Sequence, residues 1–496
     1  MERSLIRNWH NMNGRCLKAA LLRRLGRDNR SLLAESIAID PLAMGCLYEQ
    51  ALHENALDGW RTTMRGEAHN YLELALTYSK AGLLDDALRI LQACPEQTPM
   101  PFYYQGYLHH LAGDNEAARA CCLQAEQAAD TRCFPNRVEE IAVLENAIHL
   151  LDKAPKAHAY LGCLLYDKKQ YKAAVSHWEI SAQQDPNQAM VHRNLAIAYY
   201  NKRSDAQAAM EQMELARALD PTYPRLLLEY DQLAARMGQS NARRLQRLED
   251  SLPVVQQRDD LFLRYITLLN CARRYQEAFQ AIMSRKFHPW EGGEGKVSAQ
   301  YRYALIHLAQ AALERGDYDQ AVDLLEQSKV YPQNLGEGKL PNVPDNEADY
   351  WLGVTLRRMG REEESRAALE RAAAGPQEPG SVLYYNDQPS DFIFYQGLAA
   401  RALGREAAAV KAFHKLTAYG EKHLFDTVGY DFFAVSLPEI EVFADDIALR
   451  NRQYCNYLRA LGCLGLEQTE KANRLFDEIL TVQPDYQGAL QHQNQK

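Results

Sequence analysis

The sequence predicts an all-α fold, a right-handed superhelical solenoid of antiparallel helix pairs, and three observations carry that expectation. Apolar residues recur at spacings of three and four in short blocks, so each block presents one buried stripe of a helix. Glycines stand between the blocks at Gly26, Gly82, Gly113, Gly316, Gly360, Gly404 and Gly465. At a turn, glycine takes the left-handed conformation that ends a helix at little steric cost. The chain also closes consecutive blocks with Asp185-Pro186 and Asp220-Pro221. Proline disfavours helical geometry in the residue before it, so each Asp-Pro is a stop.

The best-defined block runs from Pro155 to Pro186, PKAHAYLGCLLYDKKQYKAAVSHWEISAQQDP. Leu161, Gly162, Leu165 and Tyr166 mark the buried stripe of its first helix, and Asp167-Lys168-Lys169-Gln170 breaks the pattern. Tyr171, Ala174, Trp178 and Ala182 then form the stripe of a second helix. The next block repeats the order with Leu195, Ala196 and Tyr199, a break at Lys202-Arg203-Ser204, then Ala209 and Ala216. Small residues where two helices cross, at a period near 34, resemble the tetratricopeptide repeat. That resemblance implies about ten helix pairs and a surface that binds a protein or peptide partner.

The units are expected at 5–41, 68–98, 101–130, 155–186, 189–221, 223–250, 258–287, 298–330, 346–375, 391–420 and 451–484, with a lone helix over 137–151. Two domains are expected: an array over 1–250, strictest over 155–221, and a more degenerate array over 251–496. A chain of 496 residues fits this organisation. It exceeds the ~250–300 residues one core supports, whereas an array grows in one dimension.

Composition narrows the function classes. At 47% hydrophobic and 24% charged residues the chain has the make-up of an ordinary folded protein, not a disordered one. A net charge of −9 argues against nucleic acid as a partner, because phosphate binding needs a basic footprint. Residues 1–30 are the local exception, with Arg3, Arg7, Arg15, Lys18, Arg23, Arg24, Arg27 and Arg30 against Glu2 and Asp28. They read as a solvated basic face on the first helix pair. No apolar run is long enough to cross a membrane, and the first residues lack the apolar core of a secretory signal. Ten scattered cysteines fit reduced thiols in small-residue helix positions, so a cytoplasmic location is expected.

Four inter-repeat connections are long and aromatic: 287–297, 331–347, 380–392 and 425–442. In a solenoid, loops at equivalent places emerge along one edge. Trp290, Glu291, Glu294, Tyr384, Tyr385, Asp387, Asp391, Tyr430 and Asp431 therefore form a candidate loop site of aromatic faces and carboxylates. The competing expectation is that these loops pack on one another or on another domain. The phrases HPWEGGEGKV and YPQNLGEGKL, followed by a WLG-containing repeat, resemble the tetratricopeptide tail of an uncharacterised bacterial family. Its members carry a β-rich, carbohydrate-processing-like region ahead of that tail. The resemblance implies a shortened relative or fragment, with a β-rich domain or sugar as a second class of partner.

No catalytic residue, cofactor or metal is expected. Glu291-Gly-Gly-Glu-Gly-Lys296 is glycine-rich, but its glutamates repel phosphate and no strand precedes it. His109, His110, Cys121, Cys122 and Cys133 lack the spacing of a zinc site. Two loop carboxylates in glycosidase geometry would need a separation that sequence does not supply. The leading expectation is an interaction scaffold whose first helices line a concave surface, with Lys156, His158, Asn194, Tyr199 and Asn201 as partner-binding residues.

Overall fold

The computed structural model describes residues 2–130, 133–382, 389–429 and 442–493, and among them all regular structure is helical. Contacts divide the chain into two units, Met1–Ala198 and Tyr199–Lys496. The division falls earlier than the sequence places it, inside a helix pair. Helix Ala189–Ala198 there passes into a π-helical turn, Tyr199–Arg203.

Helix pairing follows the small residues. A Cβ on Gly162 would stand 2.4 Å from the Trp178 indole nitrogen, so only glycine lets helices Pro155–Asp167 and Tyr171–Gln184 close. The indole fills the crossing and donates to the Ala159 carbonyl at 3.1 Å. Gly465 plays the same part against Phe413 and is not the turn residue the sequence implied. The left-handed conformation at that turn belongs to Glu467, with φ 64°.

The first unit adds one pair that the sequence does not announce, Met44–Glu54 with Leu57–Thr63. Its turn uses Asn55 at φ 52° in place of glycine. Helix Glu139–Leu150 stands alone between pairs, as expected. The basic segment is not simply a solvated face. Arg23 donates to buried Glu49 at 2.7 Å and meets buried Asp86 at 3.1 Å, where Arg24 also bonds at 3.0 Å. Arg15 is fully buried, its guanidinium 3.7 Å from the Trp9 ring centroid. Glu49 and Asp86 lie two and five helices downstream, so a local charge count does not see them.

Among the described residues, the second unit carries six pairs after helix Ala206–Leu219. Their first helices are Pro224–Arg236, Asp259–Cys271, Lys296–Glu314, Asn346–Arg358, Phe392–Ala402 and Ile447–Gly465. A short helix, Gln487–His492, follows the sixth pair. This unit closes on itself. Asn201 donates to the Val442 carbonyl at 2.7 Å and accepts from the Ala444 amide at 2.7 Å. Phe443 between them is buried against the Tyr200 ring, with centroids 5.3 Å apart.

Two of the long loops pack on one another. The Phe287 amide donates to the Asn334 carbonyl at 2.8 Å, and Glu337 accepts from the Gly295 amide at 2.7 Å. Trp290 is half-buried against the core of the unit and folds over Gly293, where a side chain would collide with the indole.

Candidate functional site

The first helices of the second unit hold polar side chains among their apolar stripes: Asp231, Asn270, Gln300, Glu347, Tyr395 and Tyr457. All are buried except Glu347, which is half-buried. Buried polar groups need partners, and residues 484–492 supply many of them.

At one end, Arg244 is 1% exposed and forms two bonds to Asp231, at 2.9 and 2.8 Å. Its remaining nitrogen donates to Asp485 at 2.8 Å. Arg264 adds a 3.2 Å contact to Asp231, and Asn241 donates to the Pro484 carbonyl at 2.7 Å. Burial acts to raise both carboxyls, but the guanidinium groups of Arg244 and Arg264 outweigh it and hold Asp231 and Asp485 below the usual carboxylate range. Midway, Gln487 and Gln300 exchange amide hydrogen bonds of 2.7 and 2.9 Å, while Asn270 donates to Gln300 at 2.9 Å.

At the far end the proton count decides the chemistry. Burial lowers His492 to about 4, so its ring is neutral. Nδ1 lies 2.8 Å from the Gly488 carbonyl, which only accepts, so Nδ1 carries the hydrogen and Nε2 is bare. The Tyr395 hydroxyl is 2.9 Å from that Nε2 and 2.8 Å from Glu347 Oε1. One phenol proton does not serve two acceptors. The conflict disappears when Glu347 carries its own proton and donates to Tyr395, which donates to His492. Burial pushes the Glu347 carboxyl up, in agreement. It also pushes Asp391 up to about 7. Gln491 completes the cluster by donating to Tyr395 at 2.8 Å and to Glu347. Tyr486 lies beside Tyr457, with centroids 5.3 Å apart.

The sequence-derived candidates fall in several places. Lys156, His158 and Asn194 lie in the first unit, and Tyr199 and Asn201 in the π-helical turn of the second. Lys156 is half-buried and bonds the Ala128 carbonyl through its ammonium group. His158 is buried, with Nδ1 2.8 Å from Nδ1 of His177. Burial first, then its neighbour, lowers His158 to about 4, so the pair shares a proton between neutral rings. Asn194 is half-buried beside Cys163 at 3.5 Å, and Asn201 holds the closing loop. The Arg203 guanidinium stands 4.7 Å over the Tyr199 ring.

Of the loop residues, Glu291 is exposed and Glu294 half-buried, both in the packed loop that also holds Trp290. Asp391 instead faces the groove, 3.5 Å from the Tyr457 hydroxyl. Tyr384, Tyr385, Asp387, Tyr430 and Asp431 lie outside the described residues. Apart from Asp391, the groove residues escaped the sequence reading. The available signal was the row of polar residues within otherwise apolar first-helix stripes.

The first unit has two open clefts, of about 270 and 230 Å³. Among the described residues, no group of three His, Cys, Asp or Glu side chains is placed to hold a metal ion. Burial pushes the thiols of Cys16 and Cys122 up to about 12, which leaves both as poor nucleophiles.

A helical array built of pairs, with a groove lined by successive first helices, defines the class as a repeat solenoid. The profile of the tetratricopeptide repeat family matches residues 161–224 and 306–379, so the chain carries tetratricopeptide repeats. Among solved structures it is similar to yeast Tom70, at 12% identity over 91% of this chain and 93% of that one, with a TM-score of 0.29. It is also similar to the tetratricopeptide domain of P58(IPK), at 13% identity over 94% and 98%, with a TM-score of 0.25. A third is MamA from Desulfovibrio magneticus RS-1, at 19% identity over 39% and 97%, with a TM-score of 0.24. Among the described residues no helix is long and apolar enough to cross a membrane.

Proposed function

We propose that this protein is an interaction scaffold that takes up a short peptide segment of a partner protein in the groove of its second unit. One observation carries the reading. Residues 484–492 already lie there, held by side chains from all six pairs: Arg244, Cys271, Gln300, Glu347, Tyr395 and Tyr457. Repeat arrays bind through such extended surfaces, to which each repeat contributes a few side chains. In the first unit, half-buried Lys156 and Asn194 are proposed to meet a partner from their own helices.

Panning a displayed peptide library on the full chain tests this. A shared motif should be enriched, and Gln300→Ala should weaken its binding by at least ~5-fold, since losing a buried hydrogen-bond partner costs about 1–3 kcal/mol. No enrichment above a control surface, with the protein folded, would sink the proposal.

A second reading follows from the loop phrases at 288–297 and 331–340: an accessory part of a bacterial carbohydrate-active protein, whose aromatic loops meet sugar or a β-rich domain. It predicts that Trp290→Ala lowers binding on a glycan array. Silence of the unsubstituted protein on that array counts against it.

A further inference from the structure

We infer that residues 484–493 are a displaceable internal ligand of the groove, and that the partner competes with a segment of the same chemistry, a carboxylate followed six positions later by an amide donor. This rests on the groove being the binding surface.

Three features support displacement from a seat that joins polar side-chain bonds to ring contacts of Tyr486 and His492. Of the residues in the short helix, only Ala489 and His492 are buried. A helix of six residues has no stability of its own in water, so its order comes from the groove. Gln483, the first residue of its connection to the preceding helix Thr469–Val482, is exposed.

Three of the charged and amide groups of the groove also keep a second partner when the segment leaves. Arg244 retains both bonds to Asp231, Gln300 retains Asn270, and Glu347 retains Tyr395. Opening therefore strands no buried charge, which is the usual large cost of breaking such contacts. The end groups set the chemistry of a competitor. Arg244 presents its free guanidinium edge to a carboxylate. Six residues on, Tyr395 and Glu347 accept from an amide. A hydrophobic helix satisfies neither end.

A tethered segment competes at an effective concentration of about 1 mM. If its intrinsic affinity is in the ten-micromolar range, the occupied groove binds an added peptide roughly 100-fold more weakly than an open one. The test uses a fluorescein-labelled peptide with the sequence of residues 481–493, TVQPDYQGALQHQ, and the full chain. Fluorescence anisotropy compares the unsubstituted protein with Asp485→Ala/Gln487→Ala/Gln491→Ala, which alters the segment and leaves the groove intact. The variant should bind the peptide at least ~10-fold more tightly, as the effective concentration requires. The same peptide carrying Asp485→Ala should bind poorly to it. Equal affinity in both proteins, or no binding to a folded variant, overturns the inference.

Should the variant unfold, hydrogen exchange on the unsubstituted protein decides. Amides of 487–492 should exchange by local opening, faster than those of Ile447–Gly465. Exchange at the same rate as that core overturns the inference. Library peptides that bind both proteins equally leave the groove standing and remove the internal ligand. Failure of the library alone, with the labelled peptide behaving as expected, removes only the partner. A concentration-dependent dimer of the unsubstituted protein that the variant does not form would assign the competitor to a second copy, against a foreign partner.

Discussion

Gly488 offers a substitution whose sign depends on whether the terminal helix is seated. Its absent Cβ would stand 2.6 Å from Cζ of Tyr457 and 2.8 Å from the hydroxyl, well inside ordinary contact. Tyr457 has little room to retreat, because its ring is 3% exposed and faces Tyr486 and Phe476. Its hydroxyl is also within 3.4 Å of His492 Nδ1. Forcing a methyl group into such a site costs about 1–3 kcal/mol. Against that, alanine is better than glycine in a helix by ~1 kcal/mol. Seated, Gly488→Ala should therefore destabilise the helix by up to about 2 kcal/mol. Unseated, it should stabilise it. Hydrogen exchange of the amides over 487–492 reads the difference directly, as a loss of protection of up to ~30-fold. Increased protection would refute the docking of this helix against Ile447–Gly465.

Three further expectations concern stability. Asp391 is pushed up to about 7, so the unfolded chain loses this proton first as pH rises. Its contribution therefore falls from about pH 4 to 7 and is flat above. Asp391→Asn should match the unsubstituted protein near pH 4 and exceed it at about pH 8, by at most ~4 kcal/mol, in urea titrations at the two pH values. His492, lowered to about 4, adds an opposite slope that both proteins share. Arg244→Met should cost about 3–5 kcal/mol because Asp231 is left with Arg264 alone, while Arg244→Met/Asp231→Leu should recover much of it. A double variant no more stable than the single one would refute the pairing. Gly162→Ala should lower the melting midpoint through overpacking against Trp178, worth about 1–3 kcal/mol.

The helices were legible in the sequence because their causes are local. Apolar spacing, Asp-Pro stops and turn glycines act within a few residues, and the expected units over 155–186 and 346–375 coincide with pairs in the structure. Where a local marker was missing, the element was missed, as with the pair around Asn55. Where one residue type serves two purposes, the role was misread, as with Gly465. The candidate site was largely illegible for a different reason. Asp485 reaches Arg244 across 241 positions, and Gln491 reaches Glu347 across 144. Those distances close only when six stacked pairs bring the end of the second unit back to its beginning. The sequence by itself determined that this protein is an array of helix pairs with polar residues on their first helices. Tertiary structure alone decided that those residues face a common groove and that the chain's own segment fills it. Stacking sums the small rotations of many repeats, and no single repeat encodes that sum.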